Sequence, residues 1–276
     1  MASIPFASKL RDVHMVTKKF MSKSLNKLLR MIRYVFRYSA SFMPARMNAL
    51  NFKESIDLIA RNKLSLIRWG DGETSVLLGY DIAYQVSTPE LREKMWNIIN
   101  TYNHNGHNNS GFILAMPLKY LSVNGYDLTI NKLCHYWVHT RYIYKTRFNH
   151  DRTYADAFLF SENMNIYFEK IWNDASHIIF VHSDIRCFKY FCESYHKDSF
   201  FVQIPAKNCF EKYKEIYTEI IDIFEKNCLD TKKTYVLISA GPAAKVVTFD
   251  LAQKGYICID TGHCWDEPLS KNNLLV

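Results

Sequence analysis

Thr234-Tyr235-Val236-Leu237-Ile238-Ser239 is followed by Ala240-Gly241-Pro242, then by a helical pattern from Ala243 to Lys254 stopped at Gly255, then by Tyr256-Ile257-Cys258-Ile259-Asp260. Two short apolar runs flank a single helix-length segment. A crossover of that length brings the second run back parallel to the first, because antiparallel neighbours need only a tight turn. The same alternation holds upstream. The pattern predicts strands at His177 to His182 and Phe200 to Ile204, and helices at Arg186 to Tyr195 and Phe210 to Asn227. Nearer the N-terminus it predicts a helix at Phe52 to Asn62, a strand at Leu64 to Arg68, and a helix opening at Thr88-Pro89 with Leu91, Met95, Ile98, Ile99 and Tyr102 on one face. A polar loop (103–111), a strand from Phe112 to Met116 closed by Pro117, and a tyrosine-rich, mostly helical stretch over 127–146 complete the series. Strands alternating with helices imply a mostly parallel α/β sheet covered on both faces. No internal repeat is present.

Composition supports one large domain or two small ones. The 276 residues are 48% hydrophobic and 22% charged, with Tyr and Phe at 18 each, which excludes disordered and collagen-like chains. The seven cysteines form an odd set without a Cys-x-x-Cys pair, as expected in a reducing, cytoplasmic setting. The ten histidines match no zinc spacing, and no apolar run reaches membrane-spanning length.

The net charge of +8 is unevenly spread. Residues 1–50 carry ten Lys or Arg against Asp12 alone, and the remainder carries 25 basic against 26 acidic side chains. A nucleic-acid-binding body is therefore not expected. Between Ser24 and Phe42, the residues Leu25, Leu28, Leu29, Ile32, Val35 and Phe36 recur at helical spacing, with Lys27, Arg30, Arg33 and Arg37 on the other side. This basic amphipathic helix suits attachment to an anionic membrane surface, packing against the domain or a partner subunit, or an organellar transit peptide. Ala40 to Met47 reads as a linker, so the chain divides into a segment at 1–47 and a domain at 48–276.

Ligands of open α/β sheets bind beyond the carboxyl ends of the strands. Three such loops stand out. In Arg68-Trp69-Gly70-Asp71-Gly72-Glu73, an extended backbone would point Asp71 and Glu73 to one side, a pair suited to Mg²⁺ or Mn²⁺ on a substrate phosphate. The plainer reading of these residues alone is a polar turn in which Asp71 caps the next helix. Ser239-Ala240-Gly241-Pro242-Ala243-Ala244-Lys245 offers a helix N-terminus to a phosphate, with Lys245 adding charge, but matches neither a P-loop nor a dinucleotide fingerprint. Asp260-Thr261-Gly262-His263 presents His263 as a metal or phosphate contact, or as an ordinary structural histidine.

Ile67-Arg68-Trp69-Gly70-Asp71-Gly72-Glu73, followed by Leu77-Leu78-Gly79 and Tyr84-Gln85, resembles the opening signature of the GT-D-type glycosyltransferases. Asp156-Ala157-Phe158, Pro205-Ala206-Lys207-Asn208, and the closing run from Ser239 through Asp250-Leu251-Ala252 and Lys254-Gly255-Tyr256 to His263 are similar to further elements of that family, in the same order. The resemblance spans roughly residues 50–265 and implies a Rossmann-like sheet of GT-D type. It implies that Asp71 and Glu73 form the divalent-metal and donor site, shaped by Arg68, Gly70 and Gly72. Ala240, Gly241 and Pro242 would face the donor diphosphate, with Lys207, Asn208 and His263 bordering the same cleft. Trp69 stands where the family usually has Phe or Tyr, and Leu159-Phe160-Ser161 lacks the Arg that relatives often carry after the Phe.

The expected function is a cytoplasmic, metal-dependent transferase moving sugar from a nucleotide-diphosphate donor, such as a UDP-sugar, to a surface or capsular glycan. Asp71, Glu73 and Asp156 are the acids expected in catalysis. The partners expected are the donor, a glycan acceptor carried on a lipid, and the anionic inner face of the plasma membrane; the oligomeric state is open. The alternative is a catalytically silent scaffold of a membrane-associated glycan assembly.

Overall fold

The structure is a computed structural model describing residues 25–160 and 169–266. Lys9 to Lys23 of the basic segment, Ser24, Ser161 and the tail 267–276 lie outside the described residues. Eight strands form one sheet in the order β1-β4-β3-β2-β8-β7-β5-β6. They are β1 (Asn48–Ala49), β2 (Ser65–Arg68), β3 (Phe112–Met116), β4 (Thr153–Asp156), β5 (His177–His182), β6 (Asp198–Gln203), β7 (Thr234–Ile238) and β8 (Ile257–Asp260). Every pairing is parallel. Strands β3, β7 and β8 are buried along their full length, as expected of parallel strands covered on both faces.

Residues 25–40 form helix α1. The other helices are α2 (Phe52–Asn62), α3 (Asp71–Leu77), α4 (Pro89–Asn105), α5 (Leu118–Leu121), α6 (Gly125–Ile130), α7 (Cys134–Arg147), α8 (Ile185–Tyr195), α9 (Tyr213–Lys226) and α10 (Pro242–Gln253). Local chemistry explains the boundaries. Asn51 and Glu54 cap each other's backbone N–H groups at the start of α2, which ends at Lys63 in a left-handed turn. Thr88 accepts the Leu91 N–H, and Pro89 opens α4. Helix α10 lies across β2 and β8 in the middle of the sheet.

The structure adds β1 and β4 to the expected strands, and splits the tyrosine-rich stretch into α6 and α7 at Lys132, whose φ is 56°. The predicted linker is a pinned segment. Ser41 and Ala45 are buried. The buried Arg141 guanidinium donates to the carbonyls of Ser41 (2.8 Å), Phe42 (3.1 Å) and Met43 (2.8 Å), and to those of Tyr120 (2.9 Å), Leu121 (3.3 Å) and Val123. Those bonds replace the solvent that a linker would need.

Helix α1 meets the body through Tyr34, Phe36, Arg37 and Tyr38. Arg37 donates to His139 Nδ1 at 3.3 Å and lies over the Tyr142 ring. The Tyr34 ring meets His139 edge-on, and the Tyr38 hydroxyl bonds the Thr129 hydroxyl at 2.8 Å. All seven cysteines are free thiols, and no helix among the described residues is long and apolar enough to cross a membrane.

Candidate active site

The registers Arg68↔Ala115, Met116↔Asp156 and Ile238↔Asp260 bring neighbouring strands to an end together. The loops that follow converge on a cavity of about 470 Å³, within the range of small-molecule sites. Strand β2 supplies Arg68 to Glu73, β4 supplies Ala157 and Phe158, β5 supplies His182 and Ser183, β7 supplies Ser239 to Gly241, and β8 supplies Gly262 and His263. Pro117, Pro205 and Ala206 complete the strand-end contribution, and Trp137 of α7 closes one wall.

Asp71 and Glu73 lie in the first turn of α3, where an extended segment was expected. At about 3.6 residues per turn, side chains two apart diverge around the helix. Asp71 stands half-buried on the cavity wall, while Glu73 is buried where the cavity meets the core. Glu73 Oε2 accepts the Gly70 N–H at 2.9 Å, and its Oε1 pairs with Lys245 Nζ at 2.8 Å. Lys245 also pairs with Asp260 Oδ2 at 3.0 Å and donates to the Gly241 carbonyl at 3.2 Å. Three acceptors match the three protons of an ammonium. Lys245 therefore lines the cavity with its ammonium already engaged by Glu73, Asp260 and the Gly241 carbonyl.

The electrostatics follow from this geometry. Burial alone would lower the pKa of Lys245, but the charges of Asp260 and Glu73 outweigh it and hold the ammonium above its ordinary range. Burial would raise Glu73, yet the charge and hydrogen bond of Lys245 hold its carboxyl below the usual range. Asp71 moves the other way: burial, then the negative charge of Glu73, raises its pKa. Of the two, Asp71 is thus the carboxylate whose charge is less compensated, which is the condition a bound cation relieves. As a donor set for Mg²⁺ or Mn²⁺, the loop offers Asp71 directly, with remaining positions suited to phosphate oxygens and water, while Glu73 is engaged by Lys245 and Gly70.

Backbone approach shapes the rest of the wall. Gly241 has a φ of 54°, and a Cβ there would lie 2.8 Å from the Tyr84 ring. A Cβ at Gly262, whose φ is 62°, would strike Arg68 Nη1 at 2.1 Å. Only glycine serves at these two turns. Arg68 donates through Nε to the Ala157 carbonyl (2.8 Å) and through Nη1 to the Thr261 carbonyl (2.7 Å), tying the loops after β4 and β8 to β2. Tyr84 is 44% exposed overall, but its ring edge meets Gly241 and its hydroxyl lies against Gly72. Burial of that end, and then the charge of Glu73, push its pKa up to about 12.

The remaining expected residues fall as follows. Gly70 caps α3 and Pro242 is buried at the start of α10, behind Ala240 and Gly241 of the wall. His263 lines the cavity. Asn208 accepts the Val86 N–H at 3.0 Å and donates its own N–H to the Tyr84 carbonyl at 2.8 Å, so it holds the Tyr84 loop in place. Lys207 is exposed beside the wall residues Pro205 and Ala206. The Asp156 carboxylate accepts the Phe158 N–H at 2.9 Å directly behind the wall, and burial raises its pKa.

Tyr84, Asp260 and Trp137, which stacks on Tyr120 with centroids 4.0 Å apart, were not expected to act at the site. Neither was the group His182, Cys187 and Asp266, whose ligand-type atoms lie within 4.8 Å of one another and make a candidate metal group. Its hydrogen bonds suit protons in this arrangement. His182 Nδ1 accepts the Asp184 N–H at 3.0 Å, leaving Nε2 protonated toward Asp266 at 3.4 Å. Burial, then the Asp266 charge, push the Cys187 thiol up to about 12.

The family model for the glycosyltransferase GT-D fold matches residues 66–186 and 193–268, which include every strand-end loop of the cavity. A curated relative, the probable glycosyl transferase Gly of Streptococcus gordonii, is 21% identical over 239 residues, covering 79% of this chain and 32% of that protein. The chain thus spans about a third of the length of that relative. Among solved structures, the highly conserved domain of unknown function 1792, described as having a distinct glycosyltransferase fold, superposes with a TM-score of 0.66 at 21% identity, over 86% of this chain and 84% of its own. A glycosyltransferase of the same domain type from Streptococcus sanguinis gives a TM-score of 0.65 at 21% identity, over 82% and 85%. With the family model covering most of the sheet and every strand-end loop of the cavity, the chain belongs to the glycosyltransferase GT-D fold family.

Proposed function

We propose that the chain transfers a sugar from a nucleotide-diphosphate donor to a glycan acceptor, with a divalent cation held at Asp71. The observation that carries this reading is the under-compensated Asp71 carboxylate on the wall of a cavity that also takes in the N-terminal turn of α10. A helix N-terminus favours a diphosphate, and Ala240 and Gly241 offer close backbone approach. When bound, Mg²⁺ or Mn²⁺ would offset charge on the leaving diphosphate. Glu73, Lys245 and Asp260 act behind that surface by fixing the loops after β2, β7 and β8 relative to one another. Tyr84, seated over Gly72 and Gly241, shapes the donor side, with Asn208 holding its loop.

The acceptor side is assigned to the wall of Phe158 and Trp137, whose rings are backed by Tyr120 and suit the flat faces of a sugar. Asp156, raised by burial and lying behind Phe158, is the acid we assign to the acceptor side, where its carboxylate holds the Phe158 turn. The acceptor is a growing surface or capsular glycan borne on a lipid, and the chain works in the cytoplasm, where its free thiols stay reduced. In this division residues 1–47 serve location and 48–276 serve transfer.

Thermal melting against a panel of nucleotide-diphosphate sugars, with and without Mn²⁺, tests the reading. The expected result is a rise in Tm with one donor class that needs the cation, followed by release of its nucleoside diphosphate when a glycan acceptor is added. If no sugar nucleotide raises Tm under either condition, the transferase reading fails and the scaffold alternative takes its place.

A further inference from the structure

Helix α1 is docked the wrong way round for a helix that belongs to the core. A surface helix ordinarily turns its apolar stripe inward. Here the residues that touch the body are chiefly Tyr34, Arg37 and Tyr38, which reach His139, Tyr142 and Thr129, while Phe36 at the border of the stripe meets the Tyr142 ring edge-on at 6.2 Å. At about 3.6 residues per turn, Leu25, Leu28, Leu29, Ile32, Val35 and Phe36 fall on the opposite side. They are exposed accordingly, Ile32 by 54% and Phe36 by 63%, and Met43 continues the surface just beyond the helix. A row of apolar side chains left uncovered along a whole helix marks a binding face.

Charge selects the occupant. Helix α1 carries Lys27, Arg30, Arg33 and Arg37 and no acid, and the exposed Lys27, Arg30 and Arg33 lie on its flanks and back. The helix as a whole is therefore cationic, and only a surface of opposite charge complements it along its full length. A surface that is apolar beneath and anionic at its rim satisfies both features, and an anionic lipid leaflet has that chemistry. We propose that the outward stripe of α1 inserts into the headgroup boundary of an anionic membrane, with Arg33 on the flank nearest the lipid phosphates and Lys27 and Arg30 adding to the attraction of the leaflet's negative potential. The attachment is firm, because Arg141 fixes residues 41–43 to the body. Helix α7 receives α1 through His139 and Tyr142 and supplies Trp137 to the cavity wall, so the thickness of two packed helices, α1 and α7, separates the lipid surface from the acceptor side. The anchoring itself does not depend on the transferase reading.

The test is co-sedimentation of the full chain with vesicles of pure phosphatidylcholine and of equal parts phosphatidylcholine and phosphatidylglycerol. Binding is expected only to the anionic vesicles and is expected to weaken with salt. Ile32→Glu and Phe36→Glu should each lower partitioning roughly tenfold, and Arg30→Glu or Arg33→Glu roughly fivefold or more. All four side chains are exposed, so the variants should melt at the wild-type temperature and keep any donor-dependent rise in Tm. The proposal is overturned if the chain ignores anionic vesicles at low salt, or if Ile32→Glu and Phe36→Glu bind them like wild type. It is also overturned if lipid-free sedimentation reveals a dimer that Ile32→Glu dissociates, since a second copy would then cover the stripe.

Discussion

The cavity and helix α1 invert the usual distribution of polar and apolar groups. At the cavity, Glu73, Lys245 and Asp260 are buried charges with partners in place, while on α1 the side chains of Leu25, Leu28, Leu29, Ile32 and Val35 face outward, exposed among the described residues, and Phe36 meets the body only through one ring edge at Tyr142. Each arrangement is costly taken alone: buried ions lose hydration, and exposed hydrocarbon orders water. Proteins retain such costs where something else is obtained in return. At the cavity the return is geometric, because one ammonium bonded to three loops sets the shape of the strand-end edge. At α1 the return comes from outside the molecule.

The comparison breaks first at Lys245. Lys245→Met would leave Glu73 and Asp260 as neighbouring buried carboxylates without a cation, a change worth about 3–5 kcal/mol of stability. Calorimetry should show Tm lower by roughly 10 °C. An unchanged Tm would mean that the three groups do not act as a unit.

Asp71 should respond in the opposite sense. In Asp71→Asn the wall loses a charge that burial and Glu73 already oppose, so the metal-free protein should be no less stable than wild type. The rise in Tm from donor plus Mn²⁺ should vanish. That rise is worth about 2.7 kcal/mol at a hundredfold excess over Kd. Loss of basal stability with retention of the metal effect would exchange the roles assigned to Asp71 and Glu73.

The α1 contact should carry a pH signature. Burial, then the Arg37 charge, lower the His139 pKa to about 4. Since the folded value lies below the unfolded one, the neutral imidazole supports docking at and above about pH 6.5, and this support is lost as pH falls through about 4. Thermal melts between those values should fall more steeply for wild type than for His139→Gln.

The smallest effect is expected at Trp69, whose Nε1–H is buried without a hydrogen-bond partner among the described residues. Trp69→Phe removes that donor and some packing against Phe148, and the two should cancel to within about 1 kcal/mol. A larger loss would show that the indole N–H has work at the cavity.

Elements written in local chemistry were legible in the sequence. Phe52–Asn62, Phe112–Met116 and His177–His182 coincide with their predicted bounds, and Thr88-Pro89 marks the start of α4. Strand β4 escaped because Thr153–Asp156 is short and its partner, β3, is distant in sequence. The same limit applies at the site. The sequence pointed to the Asp71–Glu73 loop, but whether Glu73 faces ligand or core depends on Lys245, and nothing local to either residue encodes that meeting. The α1 pattern was legible as amphipathic, while the side it turns to the body depended on tertiary contacts with α7.

Arg141 has a further consequence. Its guanidinium engages main-chain carbonyls of residues 41–43 and 120–123, so the clasp reads backbone shape and is indifferent to the side chains it crosses. Those positions can drift in sequence, and the surface that α1 presents can be retuned to another leaflet composition, without loosening the joint that holds it. The clasp therefore works as a standard fitting, in which what the helix touches can evolve separately from how it is attached.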